Sequence, residues 1–372
     1  MFKHPLVIGV QEVLPKDGFL PIGEVLERVG ANSGNIIFTQ AIVKLLHDVR
    51  LGTFDVEACD FSGRDCVVLA AANWLNDFED FGWLADRLEK LTLPIFVFGL
   101  GAQAPYGDST LKLNQGTIRF LDIVTSSHGH FSVRGRHTFD FLTSLGYCNV
   151  TATGCPSLML VGPGGFDSSR FSSVSFDRCS ISSTRHGFFD ADGFHSSIYR
   201  FALSQRLDIV LQSEVPDLSC LLDSSQYDFA AETVNEALVR AYGSASVVDI
   251  RNYICMHARF FTAYGQWIDY CRGRSFVFGS RVHGVVASLI AGTPAVLLAH
   301  DSRTRELAEF MGLPVVDSID VLIDSEFCVQ SLWREDSFSK LVSRSDFYYR
   351  NFLDFLKIID MQVSPDFFRE MK

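Results

Sequence analysis

A predicted strand and helix at residues 276–294 hold two side chains that suit the binding and protonation of an anion. The strand is apolar, and the helix that follows it ends at Gly292. Arg281 and His283 therefore lie at a helix N-terminus, where backbone N–H groups and the helix dipole favour negative charge. An Arg binds phosphate or carboxylate through paired hydrogen bonds, and a His titrates near neutral pH. Both are candidate catalytic residues, with Ser280 beside them as a candidate substrate-binding residue.

Two further arginines are predicted at the ends of strands. Arg134 ends one predicted strand, and Arg185 comes shortly after another. Either side chain could bind an anion at the carboxyl edge of a sheet. The simpler alternative for Arg281 is an ion pair with a surface carboxylate, and for Arg185 it is a place on a surface loop. His283 could be a buried core histidine.

Small and amide residues occupy two other loops at predicted element ends. Gly101 and Gln103 belong to a loop after the strand at residues 95–99, and Asn35 precedes the helix at residues 36–46. Glycine lets the backbone approach a ligand closely, and an amide both donates and accepts hydrogen bonds. We take the three as candidate substrate-binding residues; Asn35 could also be the N-cap of its helix.

Short β-branched runs alternate with amphipathic helical runs along most of the chain, which is the pattern of βαβ units and mainly parallel sheets. A second series of such runs includes a strand predicted at residues 247–250. A Gly-, Pro- and Ser-rich stretch at residues 162–176 is typical of a linker. We therefore predict a first domain over residues 1–165, a second over 176–340 and a helical tail over 341–372.

Two such α/β domains in tandem place the carboxyl ends of their strands towards a common cleft. Ligands of open parallel sheets bind outside those ends. Since the candidate residues follow predicted strands or precede helices, we expect them to face the cleft.

Charge, cysteine content and hydropathy exclude several classes of protein. The chain of 372 residues has 32 Lys and Arg against 44 Asp and Glu, a formal net charge of −12, which argues against a general nucleic-acid binder. Its nine cysteines are odd in number, which argues against a disulfide framework and suits a reducing cytoplasm. The longest apolar stretch, residues 285–299, is too short to span a bilayer. We expect a cytoplasmic protein without a transmembrane segment.

The sequence has no familiar motif for a nucleotide cofactor or a metal. It lacks G-x-G-x-x-G after the first strand and lacks G-x-x-x-x-G-K-[ST]. It has no C-x-x-C pair, and His128 and His130 form a pair of imidazoles without a third ligand. We therefore predict no cofactor and no metal site.

With these segments in place, the chain resembles the polysaccharide pyruvyl transferase family over roughly residues 30–315. The resemblance is carried by five segments: Asn32-Ser33-Gly34-Asn35, residues 97–103, 132–134 and 153–157, and above all the Gly279-Ser280-Arg281-Val282-His283-Gly284 block with its Gly292-Thr293-Pro294 ending. It implies two Rossmann-like domains facing a cleft, in a GT-B-like arrangement, with the first domain on the acceptor side and the second on the donor side. It also implies transfer of a pyruvyl group from phosphoenolpyruvate to a sugar, which leaves a pyruvate ketal.

The resemblance also assigns residues. The family's R-x-H motif matches Arg281 and His283, and an arginine after the first strand of the second domain matches Arg185. The chain departs from the family's early G-N-x-G-D pattern, since Gly34-Asn35 is followed by Ile36-Ile37 with no Asp. It departs again where Cys155 replaces an Asp before a proline.

Two other functions fit the same residues. A GT-B glycosyltransferase would hold a nucleotide sugar at the same helix N-terminus and would need a ribose-binding carboxylate, for which Glu306 is available. A non-catalytic sugar-binding protein on the same scaffold would bind no phosphorylated ligand. The resemblance favours a transferase with a small-molecule donor and a sugar or lipid-linked oligosaccharide acceptor.

Overall fold

The computed structural model describes residues 1–103, 111–171, 174–184, 193–222, 231–244, 246–321, 323–324 and 326–370. These residues form two parallel sheets of six strands each, with helices packed against them. The predicted α/β fold class is confirmed: the chain has two Rossmann-like parallel sheets, with a cavity between their carboxyl edges, and a C-terminal helix.

Strands and helices alternate through both domains. The strands are β1 (Pro5–Ile8), β2 (Arg50–Gly52), β3 (Cys66–Ala70), β4 (Ile95–Leu100), β5 (Phe131–Val133), β6 (Val150–Ala152), β7 (Cys179–Ile181), β8 (Asp208–Leu211), β9 (Ala258–Phe260), β10 (Phe276–Gly279), β11 (Ala295–Ala299) and β12 (Val315–Asp317). The α-helices are α1 (Ile22–Arg28), α2 (Asn35–Leu45), α3 (Gly82–Leu88), α4 (Gln115–Ser126), α5 (Arg136–Ser144), α6 (Phe194–Gln205), α7 (Val215–Leu218), α8 (Ala231–Tyr242), α9 (Val247–His257), α10 (Tyr264–Arg272), α11 (Val282–Ile290), α12 (Ser302–Met311), α13 (Glu335–Ile358) and α14 (Phe367–Glu370).

The first sheet has the strand order β2-β1-β3-β4-β5-β6. Every residue of β3 and β4 is buried, as expected of parallel strands covered on both faces. The order reverses between β1 and β3, and such a reversal opens a crevice at the carboxyl ends of the two strands. The loop after β3, which begins at Ala71, lies at this crevice.

The second sheet has the order β12-β11-β10-β7-β8-β9, which reverses between β7 and β10. The segments that follow these two strands, residues 182–184 and 280–281, therefore lie at the crevice of the second domain. Arg281 and Ser280 are at this position because β10 ends at Gly279 and α11 begins at Val282.

One predicted strand is wrong. Residues 247–250 form the first turn of helix α9, and the sixth strand of the second sheet is β9 instead. The side chain of Ser246 caps the helix by accepting the Asp249 N–H at 3.2 Å. Ile250 and Ile254 are fully buried, so the helical spacing of apolar residues outweighs the β-propensity of the valines before them.

The C-terminal helix α13 packs on the first sheet. Its Phe355 and Phe352 rings lie 5.2 and 6.0 Å from the ring of Phe98 in β4. The hydroxyl of Tyr348 donates a hydrogen bond to the carbonyl of Cys155. The helix therefore braces the end of the first domain from outside. In the described part of the chain, no helix has both the length and the apolar character to span a membrane.

The two domains meet along a hydrogen-bonded seam. Ser33 of the first domain donates its N–H to the carbonyl of Gln212 in the second at 3.1 Å. Glu306 of α12 accepts hydrogen bonds from the N–H and the hydroxyl of Thr138 at 2.8 and 3.1 Å. Thr138 lies in the first turn of α5, whose N–H groups have no partner within the helix. Glu306 therefore caps a helix of the opposite domain.

Burial raises the pKa of Glu306, although the hydrogen bonds from Thr138 oppose the shift. Between the ordinary glutamate pKa of 4.5 and this raised value, the unfolded chain releases a proton that the folded protein keeps. The contribution of Glu306 to stability is therefore present at low pH and lost as the pH rises through that window.

We predict that the wild type loses stability relative to Glu306→Gln as the pH rises from about 4 to about 7. The glutamine keeps an acceptor for the Thr138 N–H but does not titrate, and at the lower pH the two proteins should agree within about 1 kcal/mol. Urea unfolding of both proteins at the two pH values measures the difference. An identical difference at both values would contradict the prediction.

Candidate active site

A cavity of about 490 Å³ lies between the carboxyl edges of the two sheets. It contains six of the eight residues predicted to form the site. The described residues that line it are Gly30, Asn32, Asn35, Ala72, Asn73, Trp74, Asn76, Phe78, Glu79, Phe81, Gln103, Arg134, Thr184, Gln212, Ser213, Ser280, Arg281, Val282, His283 and Leu307. Of the other two predicted residues, Gly101 lies behind Arg134, and Arg185 lies outside the described residues.

Arg281 is the N-cap residue of α11 and is anchored by a buried carboxylate. Its Nη2 donates hydrogen bonds to the Ser213 hydroxyl and to Oε1 of Glu214. The Arg281 side chain is 16% exposed and that of Glu214 only 1%. The alternative of a surface ion pair is therefore wrong: Arg281 does pair with a carboxylate, but with a buried one at the edge of the cavity.

Glu214 is stabilised as a carboxylate. Its Oε2 accepts the N–H groups of Gln212 and Ser213 at 2.7 and 3.0 Å. Burial raises the pKa of Glu214, but the Arg281 guanidinium and these two donors outweigh that effect and hold the pKa below its ordinary value. The guanidinium is thus fixed in one orientation at the head of α11, where the helix dipole adds positive potential.

His283 lies in the first turn of α11 and faces the first domain. Its Nε2 is 3.5 Å from the Cys155 sulfur, and its ring centroid is 5.2 Å from that of Phe38. Cys155 is fully buried and accepts a hydrogen bond from the Ser157 hydroxyl at 3.2 Å. His283 lines the cavity, so it is not a histidine enclosed in the core of one domain.

Arg134 contributes a second cation from the first domain. It is 2% exposed, its Nε donates to the Gly99 carbonyl at 2.7 Å, and its Nη1 donates to Oδ1 of Asn73. A Cβ at Gly101 would lie 2.9 Å from Cδ of Arg134, so the glycine makes room for this side chain. Gln103 lines the cavity, and its N–H donates to the Leu75 carbonyl at 2.8 Å.

Asn35 lines the cavity and ties two segments of the first domain together. The N-cap residue of α2 is Gly34, so the N-cap role predicted for Asn35 is wrong. The Asn35 amide instead donates hydrogen bonds to the carbonyls of Val29 and Gly30 at 3.2 and 3.0 Å.

The Ser280 hydroxyl belongs to a buried network. It lies 2.8 Å from the Ser183 hydroxyl and 3.3 Å from Nδ1 of His195, and it accepts the Thr184 N–H at 3.1 Å. These contacts orient the loop that precedes α11.

Two residues of this site, Glu214 and Asn73, escaped the sequence reasoning, and so did the contact between Cys155 and His283. Glu214 and Asn73 each follow a strand by three residues, so a search for polar residues after every strand would have found them. The contact of Cys155 with His283 joins residues 128 positions apart, and no spacing rule predicts it.

Glu306, which the sequence offers as a ribose ligand, is 8% exposed and is bound through both oxygens to Thr138. Both of its carboxyl oxygens therefore take part in the contact between the domains. Among the described residues, no group of three or more His, Cys, Asp or Glu side chains could hold a metal ion; the expectation that the reaction needs no metal stays a prediction.

The two domains approach each other closely at Gly34. A Cβ there would lie 2.5 Å from Oε1 of Gln212 and 3.1 Å from Cβ of His283. We predict that Gly34→Ala lowers the free energy of unfolding by about 1–3 kcal/mol, because the added methyl overpacks the seam. The matched control is Gly164→Ala, since a Cβ at Gly164 has no atom within 4 Å. Equal urea midpoints for the two variants would contradict the prediction.

Comparison with known proteins adds a family. Among solved structures, a UDP-N-acetylglucosamine 2-epimerase is similar at 11% identity and a TM-score of 0.41, over 98% of this chain and 99% of that chain. The calicheamicin glycosyltransferase CalG4 is similar at 12% identity and a TM-score of 0.34, over 95% of each chain. No curated protein matches the chain. The sequence model of the polysaccharide pyruvyl transferases matches residues 32–302, which is most of the chain and includes every described cavity residue except Gly30 and Leu307. The chain belongs to the polysaccharide pyruvyl transferase family.

Proposed function

We propose that the protein transfers a pyruvyl group from phosphoenolpyruvate to a sugar of a polysaccharide or glycan precursor in the cytoplasm, leaving a pyruvate ketal. The observation that carries the proposal is the anchored Arg281 guanidinium beside His283, at the head of α11. Family membership supports the transfer of a pyruvyl group to a sugar.

Phosphoenolpyruvate carries a phosphate and a carboxylate, and it therefore needs a cationic site. Arg281 and the N-terminus of α11 offer one centre of positive charge, and Arg134 offers another on the facing domain. Both arginines line one cavity, so a small dianionic ligand can contact them together. The proposed donor site uses these cations and requires no metal ion and no organic cofactor.

The reaction needs a proton carrier as well as a cationic site. A proton is added to the methylene carbon of the donor, C2 becomes electrophilic, and a sugar hydroxyl attacks it and loses its proton. The C2–O bond to the phosphate then breaks and the phosphate leaves with the bonding electrons. A second hydroxyl attacks C2 and loses its proton, which closes the ketal.

In this scheme His283 carries protons and Arg281 stabilises the charge that develops on the departing phosphate. His283 fits this role because its ring is at the cavity wall, where its Nε2 lies 3.5 Å from the Cys155 sulfur.

We predict that removing the Arg281 charge raises the dissociation constant of phosphoenolpyruvate by about 30-fold or more, or about 2 kcal/mol. Because Arg281→Ala alone would leave Glu214 as an unpaired buried carboxylate, the variant combines Arg281→Ala with Glu214→Gln. Arg281→Lys, which keeps the charge but not the planar fork, should lose part of the affinity. Calorimetry measures all three proteins.

The control for these variants is Arg350→Ala, since Arg350 lies on α13 and is 74% exposed. Its affinity for phosphoenolpyruvate should equal that of the wild type. An unchanged affinity in the double variant, with a normal melting temperature, would remove Arg281 from the donor site.

We predict that His283→Asn lowers turnover by about 10²–10⁴-fold and leaves the dissociation constant of phosphoenolpyruvate within about threefold, because a proton carrier acts mainly in the transition state. Phosphate release and calorimetry on one preparation separate the two effects. The matched control is His128→Asn, an exposed residue with φ of 63°, a conformation that Asn tolerates. Turnover of His283→Asn within threefold of the wild type would exclude His283 from the mechanism.

A further inference from the structure

We propose that the loop after β3 determines which saccharide binds on the acceptor side of the cavity, and that it takes an uncharged saccharide by stacking a sugar ring on Phe78 and Trp74. The inference deepens the proposed function and rests on it, since it assigns the acceptor half of the same cavity.

The two walls of the cavity differ in chemistry. The second domain contributes Arg281 and His283, which suit an anion. The loop after β3 in the first domain contributes Asn73, Trp74, Phe78 and Glu79, with Asn76 fully buried beneath them. Amides donate and accept hydrogen bonds as sugar hydroxyls do, and aromatic rings cover the apolar C–H faces of a sugar ring. The combination of amides with aromatic rings therefore suits a polyol.

Phe78 is held out towards solvent at this wall. Its side chain is 67% exposed although it lines the cavity. The turn is fixed by Asn76, whose Oδ1 accepts the N–H groups of Phe78 and Glu79 at 3.2 and 2.7 Å, and by the Asn114 amide, which donates to the Glu79 carbonyl at 2.8 Å. The ring is thus presented by a rigid turn, and covering it with a ligand removes apolar surface from water.

Trp74 is a second fixed ring in the same wall. It stacks on Phe81 at 5.0 Å with an interplanar angle of 27°. The rings of Phe54 and Phe120 lie in T-shaped contact with the indole, with centroid distances of 5.7 and 5.8 Å. These contacts hold the indole before any ligand arrives, which lowers the entropy lost on binding.

The charge at this wall selects the class of saccharide. Glu79 is exposed beside Phe78, and its Oε2 accepts a hydrogen bond from the Asn76 amide at 3.1 Å. Arg134, the cation that the first domain contributes to the proposed donor site, is almost fully buried beneath this wall and donates to Gly99 and Asn73. An acidic sugar stacked on Phe78 would face the Glu79 carboxylate, whereas a neutral sugar would not.

The test is saturation-transfer NMR with three neutral probes, the methyl glycosides of glucose, galactose and mannose, and with methyl glucuronide as the acidic probe. The wild type should transfer saturation to the C–H protons of at least one neutral glycoside, and more weakly to the glucuronide. Phe78→Ala should lower the signal at least about fivefold, and Phe78→Tyr, which keeps a ring, should restore it. Phe78 is exposed, so these changes leave the core intact. The control is Phe19→Ala, a fully exposed phenylalanine that does not line the cavity.

The inference is overturned if no neutral glycoside gives a signal, if the signal survives Phe78→Ala, or if the glucuronide gives the stronger signal. Calorimetry with phosphoenolpyruvate on the same samples separates this failure from that of the proposed function. Donor binding without a Phe78-dependent glycoside signal would overturn the subsite alone. A Phe78-dependent signal without donor binding would overturn the pyruvyl transfer and support the saccharide subsite.

Discussion

The ion pair between Arg281 and Glu214 fixes the position of the Arg281 guanidinium, and with it the positive charge, at the edge of the cavity. Glu214 is buried and retains its charge because the guanidinium and two backbone N–H groups face it. A buried ion pair of this kind is costly to break from either side, since one charge is then left without its partner. The pair therefore fixes the guanidinium at the head of α11, between the crevice of the second sheet and the first domain. The donor binding proposed for this cavity depends on that placement, and His283 lies two residues further along the same helix.

The seam between the domains is the second constraint. Its backbone contact, Ser33 to Gln212, and its carboxylate cap, Glu306 to Thr138, hold the two strand edges face to face. Cys155 reaches His283 across it. A site assembled in this way depends on domain packing as much as on either sheet. Phosphoenolpyruvate, bound as proposed, would contact both domains and so would stabilise the native packing of one domain on the other.

Sequence reasoning predicted which residues line the cavity better than it predicted the contacts between their side chains. Arg281, Ser280, Arg134 and Gln103 follow or end strands, and the carboxyl-edge rule for parallel sheets predicts that they meet. The rule could not supply Glu214 as the partner of Arg281 or Cys155 as the neighbour of His283, because those contacts depend on loop paths and on how two domains dock. The strand predicted at residues 247–250 was wrong for a local reason, namely a serine cap followed by helical spacing.

A pyruvyl transferase and a nucleotide-sugar glycosyltransferase differ in the ligand that the cavity should bind. The cavity of a pyruvyl transferase should prefer a small phosphorylated acid to a nucleotide. A thermal-shift comparison of phosphoenolpyruvate with UDP, GDP and CMP tests this directly, because a ligand of the native state raises the melting temperature by mass action. We predict that phosphoenolpyruvate raises the melting temperature and that the three nucleotides do not. A rise with any nucleotide and none with phosphoenolpyruvate would contradict the assignment.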